Sequence, residues 1–253
     1  MSDVRYDDPT VAREFEATRY RHPEVFGLWC DRMGSWFEVG PVQRLVLDVG
    51  AGTGIWSVAI AERFAVPVLG VEPAAGMRSV AATRAAAHPL VDQVAATAEA
   101  LPLRDRVATA AWLSTVVHQF TDRPAALAEL RRVLVPGAPV LVRTFLPERH
   151  PDADLCRHFP GARRFPVSGL TLDGLVADFE RAGFRSAAVE TVPEPRAATY
   201  DEVLAQLPPA RAADSALVAL TDEEWEAGLD GIRAAQARGE TPPPFELDLL
   251  VFI

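Results

Sequence analysis

A short apolar run that ends in three alternating glycines constrains the fold of this chain more than any other feature. Residues 46–49 show no regular polar alternation, which is typical of a strand buried on both faces of a parallel sheet. Gly50, Gly52 and Gly54 follow directly, and apolar residues then recur at helical spacing from Ile55. Glycines permit a tight turn and let a ligand lie against the backbone. The stretch therefore predicts a strand, a turn and a helix that together cradle a nucleotide.

An acidic residue further along the chain supports a nucleoside ligand. Residues 66–71 predict the next strand, and it ends in Glu72, 18 residues after Gly54. An acid at the end of the second strand of such a unit can accept hydrogen bonds from ribose hydroxyls. Because several nucleotide cofactors carry this ribose, Glu72 indicates a nucleoside without choosing among them.

The spacing of the glycines separates two classes of cofactor. The dinucleotide fingerprint is Gly-x-Gly-x-x-Gly, and its helix N-terminus faces a pyrophosphate. Here the third glycine comes one residue early, and Asp48 precedes the loop, where a carboxylate repels a pyrophosphate but suits a cationic ligand. The stretch resembles motif I of the class I S-adenosylmethionine (SAM)-dependent methyltransferases. This resemblance implies cofactor contacts at Asp48, Gly50, Ala51, Gly52, Thr53 and Gly54.

Further segments resemble the quinone-biosynthesis-like, type 11 branch of that family, which acts on small molecules. Residues 97–103, Thr-Ala-Glu-Ala-Leu-Pro-Leu, are similar to its Asp-Ala-Glu-x-Leu-Pro-Phe segment, whose first residues border the adenine. Residues 109–138 resemble its segment from the fourth strand to a Pro-Gly turn, with Thr109 in place of an acid and Ala138 in place of a second glycine. The resemblance covers residues 46–146 in the family's order. It implies further cofactor contacts at Glu72, Pro73, Met77, Thr97, Ala98, Glu99 and Ser114.

The order of predicted elements gives an α/β fold: a Rossmann-like, seven-stranded, mostly parallel sheet with helices on both faces and an added helical lid. The last strand is expected near 247–253 and, by the resemblance, inserts antiparallel. We expect one methyltransferase domain over residues 1–253. It divides into an N-terminal helical lid (1–40), a cofactor-binding core (41–146), and an acceptor-side insertion with the C-terminal part of the sheet (147–253).

The N-terminal region predicts two helices between residues 9 and 39, and the second carries an apolar stripe that includes Val25, Trp29 and Met33. Two interpretations of the stripe remain open. It packs onto the core, or these helices cover the cofactor and bring Tyr20 and Arg21 near its carboxylate.

The candidate catalytic residue is His118, which follows the fourth predicted strand and faces the presumed acceptor. A sulfonium methyl is already activated, so a methyltransferase mainly supplies alignment, desolvation and sometimes a base. A histidine side chain titrates near neutral pH and can take a proton from a phenol, enol or amine. The alternative is that His118 only packs or orients the acceptor.

Composition narrows the remaining classes of function. The formal net charge of −10 argues against nucleic acid as a main partner. Cys30 and Cys156 form neither a disulfide framework nor a metal-ligand pattern, so we expect no metal and a reducing, cytoplasmic compartment. No run of 18 apolar residues occurs, so no membrane span is predicted.

These expectations converge on an enzyme that transfers a methyl group from SAM to a small-molecule acceptor, such as a secondary metabolite or quinone-like compound, and releases S-adenosylhomocysteine (SAH). Two alternatives remain. One is a cyclase or isomerase on the same fold that binds SAM for its positive charge without transferring the methyl. The other is an NAD-linked oxidoreductase, against which the glycine spacing and Asp48 argue.

Overall fold

The computed structural model describes residues 6–13, 24–37, 45–164, 170–195 and 197–253. The predicted cofactor residue Tyr20 and its neighbour Arg21 lie outside the described residues. Among the described residues, no helix is both long and apolar enough to cross a membrane.

Among the described residues, one mixed sheet contains seven strands, which span Val46–Val49 (β1), Val68–Val71 (β2), Val91–Val94 (β3), Ala110–Ser114 (β4), Val140–Thr144 (β5), Ser186–Glu194 (β6) and Phe245–Phe252 (β7). Their order across the sheet is β3-β2-β1-β4-β5-β7-β6. Strands β1 to β5 are parallel, and β7 is antiparallel to β5 and β6. The strand order reverses between β1 and β4, and ligands of open α/β sheets bind at such a switch point.

Helices flank the sheet and continue into a C-terminal helical layer. They span Glu24–Gly34 (α1), Ile55–Phe64 (α2), Ala75–Ala87 (α3), Arg123–Val133 (α4), Asp154–His158 (α5), Leu172–Arg181 (α6), Tyr200–Ala213 (α7), Ser215–Val218 (α8) and Asp222–Ala237 (α9). Residues 9–13 are also helical, and short 3-10 turns span Val117–Gln119 and Pro160–Arg164. The bounds differ from the predicted ones by a few residues, as is common at element ends.

Alternate side chains of the strands supply two hydrophobic cores, one on each face of the sheet. Trp112 and Leu141 pack under α1 and α2, whereas Leu113 and Val142 pack under α4 and α6. This arrangement confirms the predicted Rossmann-like sheet with helices on both faces. Residues of α1 such as Trp29 are fully buried in the first core, which agrees with the packing interpretation of the apolar stripe.

A third core forms among the helices that follow β5 and β6 in the chain. Phe159 packs there with residues of α7 and α9, and it stacks on Trp225 with ring centroids 5.5 Å apart. The predicted capping box at the start of α9 is present, because the Thr221 and Glu224 side chains each accept from the other's backbone N–H. Helix α7 has no counterpart in the sequence prediction, since Pro208 and Pro209 inside it favour a break.

Candidate functional site

The glycine loop after β1 forms one wall of a cleft at the carboxyl ends of β1 and β4. Gly50, Gly52 and Gly54 have positive φ angles of 71°, 55° and 74°, which residues with side chains disfavour. A Cβ atom on Gly50 would lie 2.2 Å from Val116 Cγ2, whereas one on Gly52 would meet no atom within 4 Å. Gly50 is therefore required by packing inside the protein, and Gly52 leaves open space beside the loop.

The cleft is open to solvent, and the roughly 550 Å³ of empty space along it includes solvent outside the protein surface. The predicted cofactor residues that line it are Gly50, Ala51, Gly52, Thr53, Glu72, Met77 and Ser114. The structure therefore brings together residues from the ends of β1, β2 and β4 that are up to 64 positions apart in the sequence, the separation between Gly50 and Ser114.

Glu72 lies at the end of β2 and organises the glycine loop. Its Oε2 accepts the Gly52 N–H at 2.9 Å, and its Oε1 accepts the Ala74 N–H at 2.8 Å. Burial raises the pKa of this carboxyl above its ordinary value. Each carboxylate oxygen keeps a second lone pair. Glu72 can therefore hold the loop and still accept a hydrogen bond from a hydroxyl of a ligand.

Asp48 is predicted to act on a cationic ligand, and the structure locates it on β1 beneath the loop. It is 1% exposed, and its Oδ2 accepts the Ser57 hydroxyl at 2.6 Å. It is not among the described residues that line the cleft. Burial raises the pKa of Asp48 to about 7, and the nearby Glu72 carboxylate adds to this effect against the hydrogen bond from Ser57. When Asp48 is ionised, its negative charge therefore acts on a ligand in the cleft from beneath the loop and not by lining the cleft.

We expect Asp48→Asn to stabilise the folded protein above pH 7. The pKa of Asp48 is about 7 when folded, against an ordinary value of 3.8. The folded state thus binds more protons than the unfolded state between these values, so the contribution of Asp48 to stability is fully present below about pH 4 and is lost as the pH rises through 7. A shift of roughly three units corresponds to about 4 kcal/mol.

Asparagine keeps an oxygen that accepts the Ser57 hydroxyl and removes the titration. Urea unfolding at pH 5 and pH 8 should show the variant about 2–4 kcal/mol more stable than wild type at pH 8, with a smaller difference at pH 5. Equal stabilities at pH 8 would show that Asp48 does not titrate as the structure indicates.

Besides Asp48, five predicted cofactor residues within the described ranges are not part of the cleft lining: Gly54, Pro73, Thr97, Ala98 and Glu99. Glu99 instead accepts the N–H groups of Thr121 and Asp122, at 2.8 and 3.3 Å, just before α4. It is half-buried and holds two loops together, rather than being simply exposed to solvent.

Glu129 and Arg132 of α4, which lie in the 109–138 segment that resembles the family pattern, hold the segment after β3. Glu129 Oε2 accepts the Leu101 N–H at 2.9 Å. The Arg132 guanidinium donates to the carbonyl oxygens of Leu101 and Leu103, at 3.0 and 2.7 Å. These contacts fix the backbone that leads from residue 97 toward β4, which gives the matched residues a structural role.

His118 lies in the 3-10 turn Val117–Gln119 directly after β4 and is half-buried. The neighbouring Gln119 lines the cleft, whereas His118 is not among the lining residues in the described part of the chain. The histidine therefore directly precedes a lining residue in the turn after β4. Its role as a base remains a prediction.

Sequence reasoning missed six residues of the cleft: Tyr6, Ile55, Trp56, Thr115, Val116 and Gln119. Tyr6 lines the cleft because the N-terminal segment packs across the start of α3. Asp7 Oδ1 accepts the Ala75 N–H at 2.9 Å, and a Cβ on Gly76 would lie 2.5 Å from the Tyr6 carbonyl oxygen. Thr115 has a positive φ of 52°, which is rare for a β-branched residue and which no sequence pattern signals.

In the described ranges, no group of three or more His, Cys, Asp or Glu residues is arranged to hold a metal ion. The candidate site consists of the glycine loop, Glu72 and the polar end of β4 beside apolar side chains, with Asp48 buried beneath the loop.

Comparison with known proteins agrees with this geometry. Residues 47–142 match the family model described as a methyltransferase domain. Demethylmenaquinone methyltransferase of Thermus thermophilus is 31% identical over 156 residues, which cover 61% of this chain and 70% of that protein. For the other curated relatives that it matches, this chain spans only about half of their length or less.

Solved structures share the fold at low sequence identity. A putative methyltransferase from an antibiotic biosynthesis pathway of Anabaena variabilis superposes with a TM-score of 0.71 at 21% identity, covering 93% of this chain and 99% of that one. The cyclase SpnF superposes with a TM-score of 0.59 at 19% identity, covering 88% of this chain and 78% of that one. The same architecture thus occurs in a protein named for a different reaction.

Proposed function

We propose that this chain, which belongs to the class I SAM-dependent methyltransferases, transfers a methyl group from SAM to a small-molecule acceptor. The observation that carries this proposal is the convergence of the glycine loop, Glu72 and Ser114 on one cleft at the switch point of the sheet. The resemblance to a demethylmenaquinone methyltransferase supports a quinol-like acceptor.

The residues of the cleft fit an adenosyl cofactor. The open side of Gly52 lets a ligand approach the backbone, and Glu72 offers lone pairs to ribose hydroxyls. The buried Thr53 Oγ1 has no hydrogen-bond partner among the described residues and lies in the loop that lines the cleft. A buried polar atom without a partner costs free energy, which a ligand would offset.

The residues of this chain then have three tasks, once SAM supplies a methyl group on a positively charged sulfur. Trp56 and Met77 give the cleft apolar walls that exclude water. Ionised Asp48 beneath the loop favours a cationic ligand, so we infer that binding of SAM lowers the pKa of Asp48 and releases a proton near neutral pH. His118, next to the cleft, takes the proton from the acceptor atom.

We expect His118→Ala to abolish turnover while SAM still binds, because the proposed proton transfer concerns the acceptor and not the cofactor. A loss of about 100-fold or more in kcat is typical when a general base is removed. His118→Gln is the matched control, since it keeps a polar side chain of similar size without a titratable group. Turnover near wild type in either variant would remove the base assignment.

The test of the function is a reaction with SAM that carries an isotopically labelled methyl group and a panel of quinols and phenols. We expect the label in one acceptor and SAH in equal amount. A SAM-dependent cyclase or isomerase would instead convert its substrate without a change in mass and without forming SAH. Conversion of that kind would overturn methyl transfer in favour of the alternative reaction.

A further inference from the structure

A buried ion pair lies at the ends of β5 and β6, behind the cleft. Arg143 and Glu194 are 5% and 6% exposed. The guanidinium donates from Nε to Glu194 Oε1 at 2.9 Å and also from Nη2 to the same oxygen. The Trp29 indole N–H donates to this oxygen at 2.6 Å. Because burying two charges is costly and the pair is often replaceable by apolar residues, such a pair is weak evidence of a purely stabilising role.

The same arginine reaches the wall of the cleft by three contacts. Its Nη1 donates to Ser114 Oγ at 3.1 Å, and its carbonyl oxygen accepts the Thr115 N–H at 2.7 Å. Its guanidinium carbon also lies 5.6 Å from the ring centroid of Trp56. Ser114, Thr115 and Trp56 all line the cleft, whereas Arg143 itself is not among the described lining residues.

The contact with Ser114 determines how that hydroxyl can interact with a ligand. A hydroxyl has one proton to donate and two lone pairs, and a guanidinium can only donate. Arg143 therefore occupies a lone pair of Ser114 Oγ and leaves the Ser114 proton free to donate. Because Ser114 lines the cleft, a ligand bound there can accept a hydrogen bond from this proton.

Thr115 adds a second reason for holding this turn. Its φ of 52° is strained for a β-branched residue, and strained residues persist only where surrounding contacts fix them. The hydrogen bond from Thr115 to the Arg143 carbonyl is one such contact. Arg143 of β5 thus contacts both Ser114, the last residue of β4, and Thr115, which follows it. Both of these residues line the cleft.

The sheet order indicates which part of an adenosyl ligand lies at Ser114. Strand β1 is between β2 and β4, so the glycine loop separates Glu72 from Ser114. A ligand whose ribose is bound at Glu72 extends its amino-acid part over the loop toward the end of β4. The group there that accepts a hydrogen bond from a hydroxyl is the carboxylate.

We propose that Arg143 is a positioning residue of the cofactor site: anchored by Glu194, it fixes the Ser114 hydroxyl as a donor to the carboxylate of the amino-acid part of SAM. The inference rests on the proposed function, because it takes an adenosyl amino acid as the ligand. Arg143 acts through Ser114 and does not touch the ligand.

The test compares two ligands in variants that keep the ion pair balanced. Arg143→Met alone leaves Glu194 buried without a partner and is expected to unfold readily. Arg143→Met combined with Glu194→Gln removes both charges and keeps an acceptor for Trp29. Arg143→Lys is the second variant, since it keeps the pair but cannot bridge Glu194 and Ser114 with a planar fork.

The probes are SAH and 5′-methylthioadenosine, which lacks the amino-acid part. We expect the double variant, Arg143→Lys and Ser114→Ala each to weaken SAH about tenfold in calorimetry while 5′-methylthioadenosine binds as to wild type. Ser114→Ala added to the double variant should cause no further loss, because Arg143 acts through that hydroxyl.

Equal weakening of both ligands, or unchanged binding of SAH, would overturn the positioning role and leave the proposed function intact. The wild-type titration separates the two claims. If wild type binds neither ligand, the proposed function itself fails. Where an Arg143 variant does not fold, SAH binding by Ser114→Ala at wild-type affinity would still overturn the proposal, because Arg143 is proposed to act through that hydroxyl.

Discussion

Replacement of Gly50 by alanine is expected to abolish cofactor binding and to lower the free energy of unfolding by about 2–4 kcal/mol. The new Cβ would lie 2.2 Å from Val116 Cγ2 and 2.9 Å from Val116 Cβ, and the φ of 71° is itself unfavourable for alanine. Val116 also lines the cleft, directly beside Gly50. Relief of the clash therefore displaces part of the surface against which the ligand binds.

Two further variants separate the clash from the backbone strain. Gly239 has a nearly identical φ of 73° and no atom within 4 Å of its Cβ position, and it follows α9 in the helical layer. Gly239→Ala should lose only about 1–2 kcal/mol and bind SAH normally. Gly52→Ala should lose about as much stability but bind SAH weakly, because its methyl enters the open side of the loop.

Thermal unfolding and SAH calorimetry on the three variants give the comparison. Wild-type affinity in Gly50→Ala would contradict the assignment of this loop as the cofactor cradle. An equal loss of SAH affinity in Gly239→Ala would attribute the effect to general destabilisation instead.

Removal of the Glu72 carboxylate is the second large expected effect, with a loss of SAH affinity of about 100-fold or more in Glu72→Ala. The carboxylate accepts the Gly52 and Ala74 N–H groups, so its loss frees the glycine loop as well as the ribose contact. Glu72→Gln keeps one carbonyl oxygen and should retain part of the loop structure.

A ligand pair isolates the ribose contact from the effect on the loop. Wild type should bind adenosine more tightly than 2′,3′-dideoxyadenosine, and Glu72→Gln should lose most of this preference. A change in loop structure alone weakens both ligands equally. Full preference for adenosine in the variant would therefore disprove the ribose assignment, whatever happens to the absolute affinities.

The strongest local patterns were sufficient to predict the sheet. Predominantly apolar runs without polar alternation, such as the one that ends at the glycine loop, indicate strands buried on both faces, and the structure has β1 between β2 and β4. The antiparallel β7 was expected from the family resemblance rather than from periodicity. Helix α7 was missed because Pro208 and Pro209 contradict the local rule for helix interiors.

The site residues that the sequence predicts are those at the ends of strands. The sequence does not predict the residues that reach the cleft through tertiary packing. Glu72 and Ser114 come directly from strand ends. Trp56 and Tyr6 line the cleft only because α2 and the N-terminal segment pack beside it, which the local pattern does not reveal.

The buried acids show the same limit. Asp48 was expected to face a ligand, but Ser57, nine residues later, holds it beneath the loop. The link between Arg143 and Glu194 joins residues 51 positions apart, so no local spacing indicates it.

Titration of the purified protein with SAH by calorimetry, with NADH as the control ligand, tests the central claim most directly. The glycine spacing, Glu72 and the cleft at the switch point predict micromolar binding of SAH and no heat with NADH. Binding of NADH in place of SAH, or no binding of SAH, would contradict the account and leave only the fold.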